Sequence, residues 1–326
     1  MYEVEQKMLE RAKELLASVE VKRVIGWKKG EFYHDPSPAS FESVESLKDF
    51  VYNCFCGANL SKYLINESKK EGKTAVFLKP CDTYSFNQLV KEHRVNRDNI
   101  LVIAIECLGK VDIEKIKAKG ITGITEVSES GFDMEVKTFY GDCVTIPKHE
   151  VGLEKCLVCA KTHQVKDEEI IINERTTERL DRFSEVSKLE AMTEEERFAF
   201  WRSQLQKCIR CNACRNVCPA CSCVKCVFDN PASGISAKAN DDKFEEQLFH
   251  IIRAFHVSGR CTDCGECSRV CPQNIPLHLL NRKFIKDINE TYGEFQAGES
   301  AEGKTPLTSY TLTDAEPNEV VNRENK

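Results

Sequence analysis

Two runs of cysteine carry the chemistry most clearly written in this sequence. Cys208, Cys211, Cys214 and Cys218 are followed by Pro219, and Cys261, Cys264, Cys267 and Cys271 by Pro272, so the pattern C-x2-C-x2-C-x3-C-P occurs twice. A 4Fe-4S cubane needs four thiolates converging on a small inorganic core. The first three cysteines of each run lie in one tight loop. The fourth is too far along to close that loop, and in the bacterial two-cluster arrangement it ligates the other cluster. On that rule Cys208, Cys211, Cys214 and Cys271 hold one cluster, and Cys261, Cys264, Cys267 and Cys218 hold the second. The proline after each fourth cysteine turns the chain away, because it fixes φ and lacks an N–H. Zinc knots, the alternative for clustered cysteines, use paired C-x2-C units and no CP-terminated run.

A third candidate centre is more dispersed. Cys81 and Cys107 each follow a continuous apolar segment, and Cys156 and Cys159 form a C-x2-C pair. If the two segments are strands of an open α/β sheet, their carboxyl ends are where ligands bind. The four thiols then converge at one sheet edge, as soft donors for a 4Fe-4S cluster or zinc. The competing role for Cys81 and Cys107 is that of small buried residues. Cys56 and Cys143 are reserve ligands, and Cys54 is a bystander. Cys221, Cys223 and Cys226 exceed the eight thiols that two clusters need. They tune a cluster, ligate another metal with a partner's residue, or are buried thiols.

The elements that must position these residues follow from periodicity. Residues 2–19 read as an amphipathic helix with Met8, Ala12, Leu15 and Leu16 on one face. Residues 21–27 read as a strand, and residues 43–52 and 58–70 as helices around Cys54 and Cys56. Buried strands are expected at 74–78 and 99–105, separated by a helix at 83–93, which argues a parallel α/β sheet. A helix at 112–119, strands near 121–126 and 133–139, and a helix near 148–155 complete that domain. Residues 161–192 read as a polar connector with a helix near 177–188. Thr193 and Glu196 make a capping-box start for a helix reaching about residue 206, with Phe198, Trp201 and Leu205 as its apolar stripe. Residues 242–257 are expected to bury Phe244, Leu248, Ile251, Ile252 and Phe255 on one face, with Gly259 as the stop. A further helix spans 276–290. The fold class is therefore an α/β N-terminal domain with a mostly parallel sheet (1–160), a connector (161–192) and an α-helical two-cluster ferredoxin domain (193–292). The remainder, 293–326, is rich in Glu, Thr, Pro and Asn and reads as a disordered tail.

Composition bounds the setting. The 326 residues include 18 cysteines and carry a formal net charge of −6, with 41% hydrophobic and 30% charged residues. No basic stripe suggests nucleic acid. The charged N-terminus does not read as a signal peptide, and the longest apolar run, 100–105, is too short to cross a bilayer. So many thiols fit metal ligation in a reducing, cytoplasmic and anaerobic setting better than disulfides.

The C-terminal half resembles the ferredoxin-like domain of the heterodisulfide reductase C subunit. It is more similar still to the anaerobic sulfite reductase A subunit and the sulfhydrogenase β subunit, through Cys218-Pro219-Ala220-Cys221-Ser222-Cys223, Arg253-Ala254-Phe255-His256 and the 259–267 segment. The N-terminal half resembles the β subunit of deazaflavin-reducing hydrogenases and formate dehydrogenases. That resemblance rests on Lys79-Pro80-Cys81-Asp82, Glu106-Cys107-Leu108-Gly109 and the Cys156/Cys159 pair. It implies another 4Fe-4S cluster and a flavin, FAD, in the N-terminal domain, although the sequence shows no evident flavin signature. There is no G-x-G-x-x-G after a strand and no P-loop. No nucleophile, base and orienter stand at recognisable spacing.

The expectation is an electron-transfer subunit of a multi-subunit oxidoreductase, not a self-sufficient enzyme. Its partners would be a flavoprotein handling NAD(P)H or ferredoxin and a catalytic subunit such as a hydrogenase, formate dehydrogenase or heterodisulfide-reductase-like enzyme. The alternative is a β subunit that itself binds flavin and reduces a soluble cofactor.

Overall fold

A computed structural model describes residues 2–130, 132–172, 181–230 and 243–308. The chain divides into two compact units, Met1–Leu180 and Asp181–Lys326.

In the first unit the order is α1 (Tyr2–Ala17), β1 (Val21–Lys28), β2 (Ser37–Phe41), α2 (Leu64–Glu67), β3 (Lys73–Leu78), α3 (Pro80–Lys91), β4 (Ile100–Ile105), α4 (Ile113–Ala118), β5 (Ile124–Ser130), β6 (Asp133–Thr138), β7 (Cys143–Pro147), α5 (Lys148–Val151), α6 (Glu154–Leu157) and β8 (Glu168–Ile170). One sheet runs β2-β1-β3-β4-β8 and a second runs β5-β6-β7. The first is mixed: β1, β3, β4 and β8 are parallel neighbours, while β2 is an antiparallel edge in the register Val24↔Phe41. The second sheet is antiparallel throughout. The expected mostly parallel sheet is thus matched only in part. The strands after α4 show the alternating burial of a one-sided sheet and close a separate core with Ile116, Met134, Val136 and Ile146. The central strands β3 and β4 are apolar and almost wholly buried, as strands covered on both faces must be. Val4, Met8, Ala12 and Leu15 recur along α1 and pack into that core.

Two expected helices are absent from this unit. Residues 43–52 contain only a 3-10 turn, Glu45–Asp49, and 58–70 hold a 3-10 turn and the four-residue α2. Residues 50–61 between them are buried. Buried loops are rare because their backbone polar groups need partners. Here three lysines supply them: Lys110 Nζ donates to the Asn53 carbonyl (2.9 Å), Lys155 Nζ to Gly57 (3.1 Å) and Lys79 Nζ to Ala58 (2.6 Å).

The second unit contains α7 (Ser184–Glu190), α8 (Glu194–Leu205), α9 (Ala213–Val217), α10 (Lys243–Val257), α11 (Glu266–Arg269) and α12 (Leu277–Tyr292). The Thr193 cap forms as its sequence dictates: Thr193 Oγ1 accepts from the Glu196 N–H, and the Glu196 carboxylate accepts from the Thr193 N–H. On α8, Leu205 is buried and Trp201 packs beside it, whereas Phe198 faces solvent.

The orientation of α10 reverses the expected one. Phe244 and Phe255 are 66% and 61% exposed, whereas His250 and Arg253 are 2% and 3% exposed. Glu246, Phe249, His250, Arg253 and Val257 lie at helical spacing and form the inner face. That face meets the cysteine runs, so polar groups on it stand beside sulfur instead of hydrocarbon. Of the residues expected to form a disordered tail, 309–326 lie outside the described residues. Within 293–308, Ala297 and Thr305 are buried and Pro306–Thr308 forms a 3-10 turn.

Candidate metal centres

The two cysteine runs fold alike. In the first, Arg210 (φ 53°) and Asn212 (φ 62°) flank Cys211 in left-handed conformation; in the second, Asp263 (φ 53°) and Gly265 (φ 65°) flank Cys264. Alternation of this kind curls the chain so that successive backbone N–H groups face a concavity suited to anions. The Arg210 N–H donates to Cys208 Sγ at 3.3 Å, and the Asp263 N–H stands in the same relation to Cys261. Each loop then enters a short helix, α9 or α11, carrying the third cysteine.

Cys208, Cys211, Cys214 and Cys271 line one recess, closed by Phe249 and His250. Three of these come from the first run and the fourth from the end of the second. Cys218, the last of the first run, lies within electrostatic range of Cys261 and Cys267. Burial pushes the Cys208 and Cys267 thiols up to about 12 and raises Cys214 and Cys261 as well. Burial does the same to Cys54 and Cys56, so the shift does not single out ligands; a metal bound here would have to displace the thiol protons. The donor set is all sulfur, with Cys214, Cys218, Cys264 and Cys267 buried, Cys208, Cys261 and Cys271 half-buried and Cys211 exposed, and it fits iron–sulfur ligation.

Arg253 projects from α10 among Cys214, Cys218, Cys221 and Cys267, and its Nη2 donates to the Cys214 carbonyl (3.1 Å). Arg210, also buried, is paired with Glu246 (2.9 Å) and lies over the Phe249 ring. Burial, with Arg253 and Arg210 nearby, lowers His250 to about 3, so its ring is neutral. Of the surplus thiols, Cys221 packs beside Cys218 and Cys261, Cys226 stands by Arg215, and Cys223 is exposed.

In the first unit β3 and β4 are adjacent and parallel, in the register Leu78↔Ala104. Cys81 therefore opens the first turn of α3, with Pro80 at its start, while Cys107 follows β4 at the same sheet edge. Gly109 (φ +98°) turns that loop so that the position of its absent Cβ lies 3.8 Å from Cys156 Cβ. The Lys110 N–H donates to Cys156 Sγ (3.3 Å). Cys156 is within electrostatic range of Cys107 and Cys159, and Cys81 within range of Cys159. The expected helix at 148–155 is interrupted at Gly152, between α5 and α6, so that the C-x2-C pair starts on a fresh turn. Cys54 and Cys56 are buried in hydrophobic cores, and Cys143 is exposed on β7.

Sequence reasoning missed the cations around this quartet. Lys79 is buried, forms an ion pair with buried Asp82 (2.8 Å) and lies 4.4 Å from the Trp27 ring centroid. Lys110 stands 3.8 Å over the Tyr52 ring, and the Tyr52 hydroxyl donates to the Glu106 carbonyl (2.7 Å). The one sequence signal was the i, i+3 spacing of Lys79 and Asp82 across Pro80. Among the described residues, no three or more His, Cys, Asp or Glu side chains group to hold a metal ion.

A separate cavity of about 710 Å³ is walled by Phe32, Tyr33, Val51 and Tyr52, with Glu5, Glu31, Glu126 and Glu129 around it and Lys29 as its cation.

Residues 204–275 match the 4Fe-4S dicluster domain family. A curated relative, F420-dependent formate dehydrogenase subunit beta of Methanocaldococcus jannaschii, is 24% identical over 86% of this chain and 88% of its own length. The F420-dependent formate dehydrogenase 1 subunit beta of Methanococcus maripaludis is 27% identical over 63% of this chain and 69% of its own. Among solved structures, a chain of the F420-reducing [NiFe] hydrogenase complex from Methanosarcina barkeri aligns with a TM-score of 0.37 and 15% identity, covering 47% of this chain and 62% of that one. The protein is an iron–sulfur electron-transfer subunit of an oxidoreductase. Both formate dehydrogenase relatives are beta subunits.

Proposed function

We propose that this chain is the β-type subunit of an F420-linked formate dehydrogenase complex, relaying electrons between a formate-oxidising partner and the deazaflavin F420. The observation carrying this reading is the similarity to the Methanocaldococcus jannaschii subunit. It extends over 86% of the chain instead of stopping at the dicluster segment, residues 204–275.

Cys208, Cys211, Cys214 and Cys271 hold one 4Fe-4S cluster; the recess they share supports this. Cys261, Cys264, Cys267 and Cys218 hold the second, supported by the nearness of Cys218 to Cys261 and Cys267. Cys81, Cys107, Cys156 and Cys159 hold a third centre, a 4Fe-4S cluster in preference to zinc. When bound, such clusters supply single-electron storage at potentials set by charge, hydrogen bonding and burial. The protein contributes the thiolates, the inward backbone N–H groups of the two loops and the exclusion of water. No described helix is long and apolar enough to cross a membrane, and the thiols suit a reducing cytoplasm.

A second element of the reading concerns flavin. F420 exchanges a hydride, whereas clusters pass single electrons, and a flavin supplies the exchange between the two. The cavity walled by Tyr33, Tyr52 and Phe32 falls within the size range of ligand pockets, roughly 300–1,000 Å³. Its aromatic walls suit a flavin ring, and Lys29 is the cation on its lining for a phosphate, set against the repulsion of four carboxylates. This favours a flavin carried by the chain itself over one carried by a separate flavoprotein.

The test is anaerobic purification with partner subunits, followed by formate-dependent reduction of F420 and extraction of flavin. A complex that reduces F420 with formate supports the assignment. A cluster-loaded complex inert to both sinks it, and flavin found solely on another subunit removes the second element.

A further inference from the structure

We propose that His250 and Arg253, on the inner face of α10, set the reduction potentials of the two C-terminal clusters, His250 acting on the first alone and Arg253 on both. This deepens the ligand assignment above and rests on it.

Two observations place these side chains. His250 lines the recess of Cys208, Cys211, Cys214 and Cys271, and neither of its ring nitrogens has a hydrogen-bond partner among the described residues. A buried N–H without an acceptor is unfavourable, and native interiors seldom leave one. The acceptors that this recess is shaped to receive are sulfur atoms. Arg253 has one hydrogen bond to the Cys214 carbonyl, while its Nε lacks a partner among the described residues. The thiols facing it include members of both ligand sets, Cys214 of the first and Cys218 and Cys267 of the second, together with Cys221, which belongs to neither.

A buried cation demands anionic company. Arg210 finds it in Glu246, so that pair adds little net charge to the site. Arg253 instead faces thiols, which become anionic as ligands. This explains why α10 turns its polar side inward and leaves Phe244 and Phe255 exposed. A fixed positive charge or an N–H aimed at sulfur stabilises the reduced, more negative state of a cluster, and so raises its potential.

The experiment uses the full chain, prepared anaerobically, with each cluster's potential read by EPR-monitored titration and with iron counted in every variant. In Arg253→Met, with iron equal to the parent, both potentials should fall, the reduced-to-oxidised ratio at fixed potential dropping about tenfold, equivalent to about 59 mV for one electron. Arg253→Lys, which keeps the charge, should recover most of that fall. In His250→Phe, which keeps an aromatic ring without the N–H, one potential should fall and the other stay. Unchanged potentials in Arg253→Met and His250→Phe at full iron content overturn the proposal, as does an equal fall of both clusters in His250→Phe. Should Arg253→Met shed iron, His250→Phe decides alone: a single shift supports the proposal and no shift overturns it. A parent chain without two C-terminal clusters by iron, sulfide and EPR defeats the ligand assignment itself, an outcome distinct from clusters present with unmoved potentials.

Discussion

In the C-terminal unit, three thiols of each proposed ligand set come from one short loop, and the left-handed residues that shape it are local. In the N-terminal unit, Cys81, Cys107 and the Cys156/Cys159 pair arrive from α3, the end of β4 and the loop around α6. On the proposed ligand sets, the first centres can therefore form wherever their loops fold, with a single long-range ligand each. The other requires the pairing of β3 with β4 and the burial of residues 50–61 before its thiols approach one another. A locally encoded centre tolerates distant changes; a topologically assembled one inherits every weakness of its scaffold.

The sharpest way to break this comparison is to remove the one non-local ligand from a C-terminal set. Cys218→Ala should cost the cluster held by Cys261, Cys264 and Cys267, about four irons per chain by analysis, and leave the cluster of Cys208 in place by EPR. Loss confined to the cluster of Cys208 would mean that each run serves itself. Removal of one N-terminal thiol comes next. Cys81→Ala or Cys159→Ala should lose about four irons while both C-terminal signals persist. Loss of about one zinc instead would make the centre structural, and no loss of metal would leave these cysteines as core residues.

Scaffold dependence can be probed without touching a ligand. Lys79→Met breaks the buried pair with Asp82 and removes the hydrogen bond to Ala58. It should destabilise the N-terminal unit by about 3–5 kcal/mol in denaturant unfolding, because Asp82 is left buried and unpaired. A cost below about 1 kcal/mol would show that the loop is held by other contacts.

The smallest effect concerns pH. Burial, with Lys166 nearby, lowers the pKa of His163, whose Nε2 lies 3.2 Å from the Ile105 carbonyl. The folded state then binds fewer protons than the unfolded one. Stability is complete above the ordinary histidine value, about 6.5, and declines as pH falls through it toward the folded value. Thermal unfolding between roughly pH 8 and 5.5 should show this decline, and His163→Gln should lessen it, the remainder coming from His250 and His34, whose pKa values burial also lowers. An unaltered slope would assign the dependence to other groups.

Much of the architecture was legible because it is written in short windows. The doubled C-x2-C-x2-C-x3-C-P pattern, the capping box at Thr193 and the apolar runs of β3 and β4 each need only a few neighbouring residues. The helices expected at 43–52 and 58–70 failed because their apolar content belongs to a buried loop, and no periodicity reports a loop held by three distant lysines. A lysine in isolation reads as solvent-exposed. Lys79 and Lys110 are buried because carbonyls at Ala58 and Asn53 and the rings of Trp27 and Tyr52 wait for them.

The sequence by itself determined the kind of centre in the C-terminal unit, since thiolate number and loop size are properties of consecutive residues. It also determined that Cys81 and Cys107 lie just past the ends of strands. Tertiary structure alone decided that those strands are neighbours, that Gly109 brings its loop beside Cys156, and that α10 presents His250 and Arg253 inward. The physical reason lies in what each signal depends on. Spacing fixes which groups a loop can gather, but helix orientation depends on what the opposite surface offers. Here that surface is sulfur, which favours a cation and an N–H over the apolar stripe that hydrophobic patterning selects.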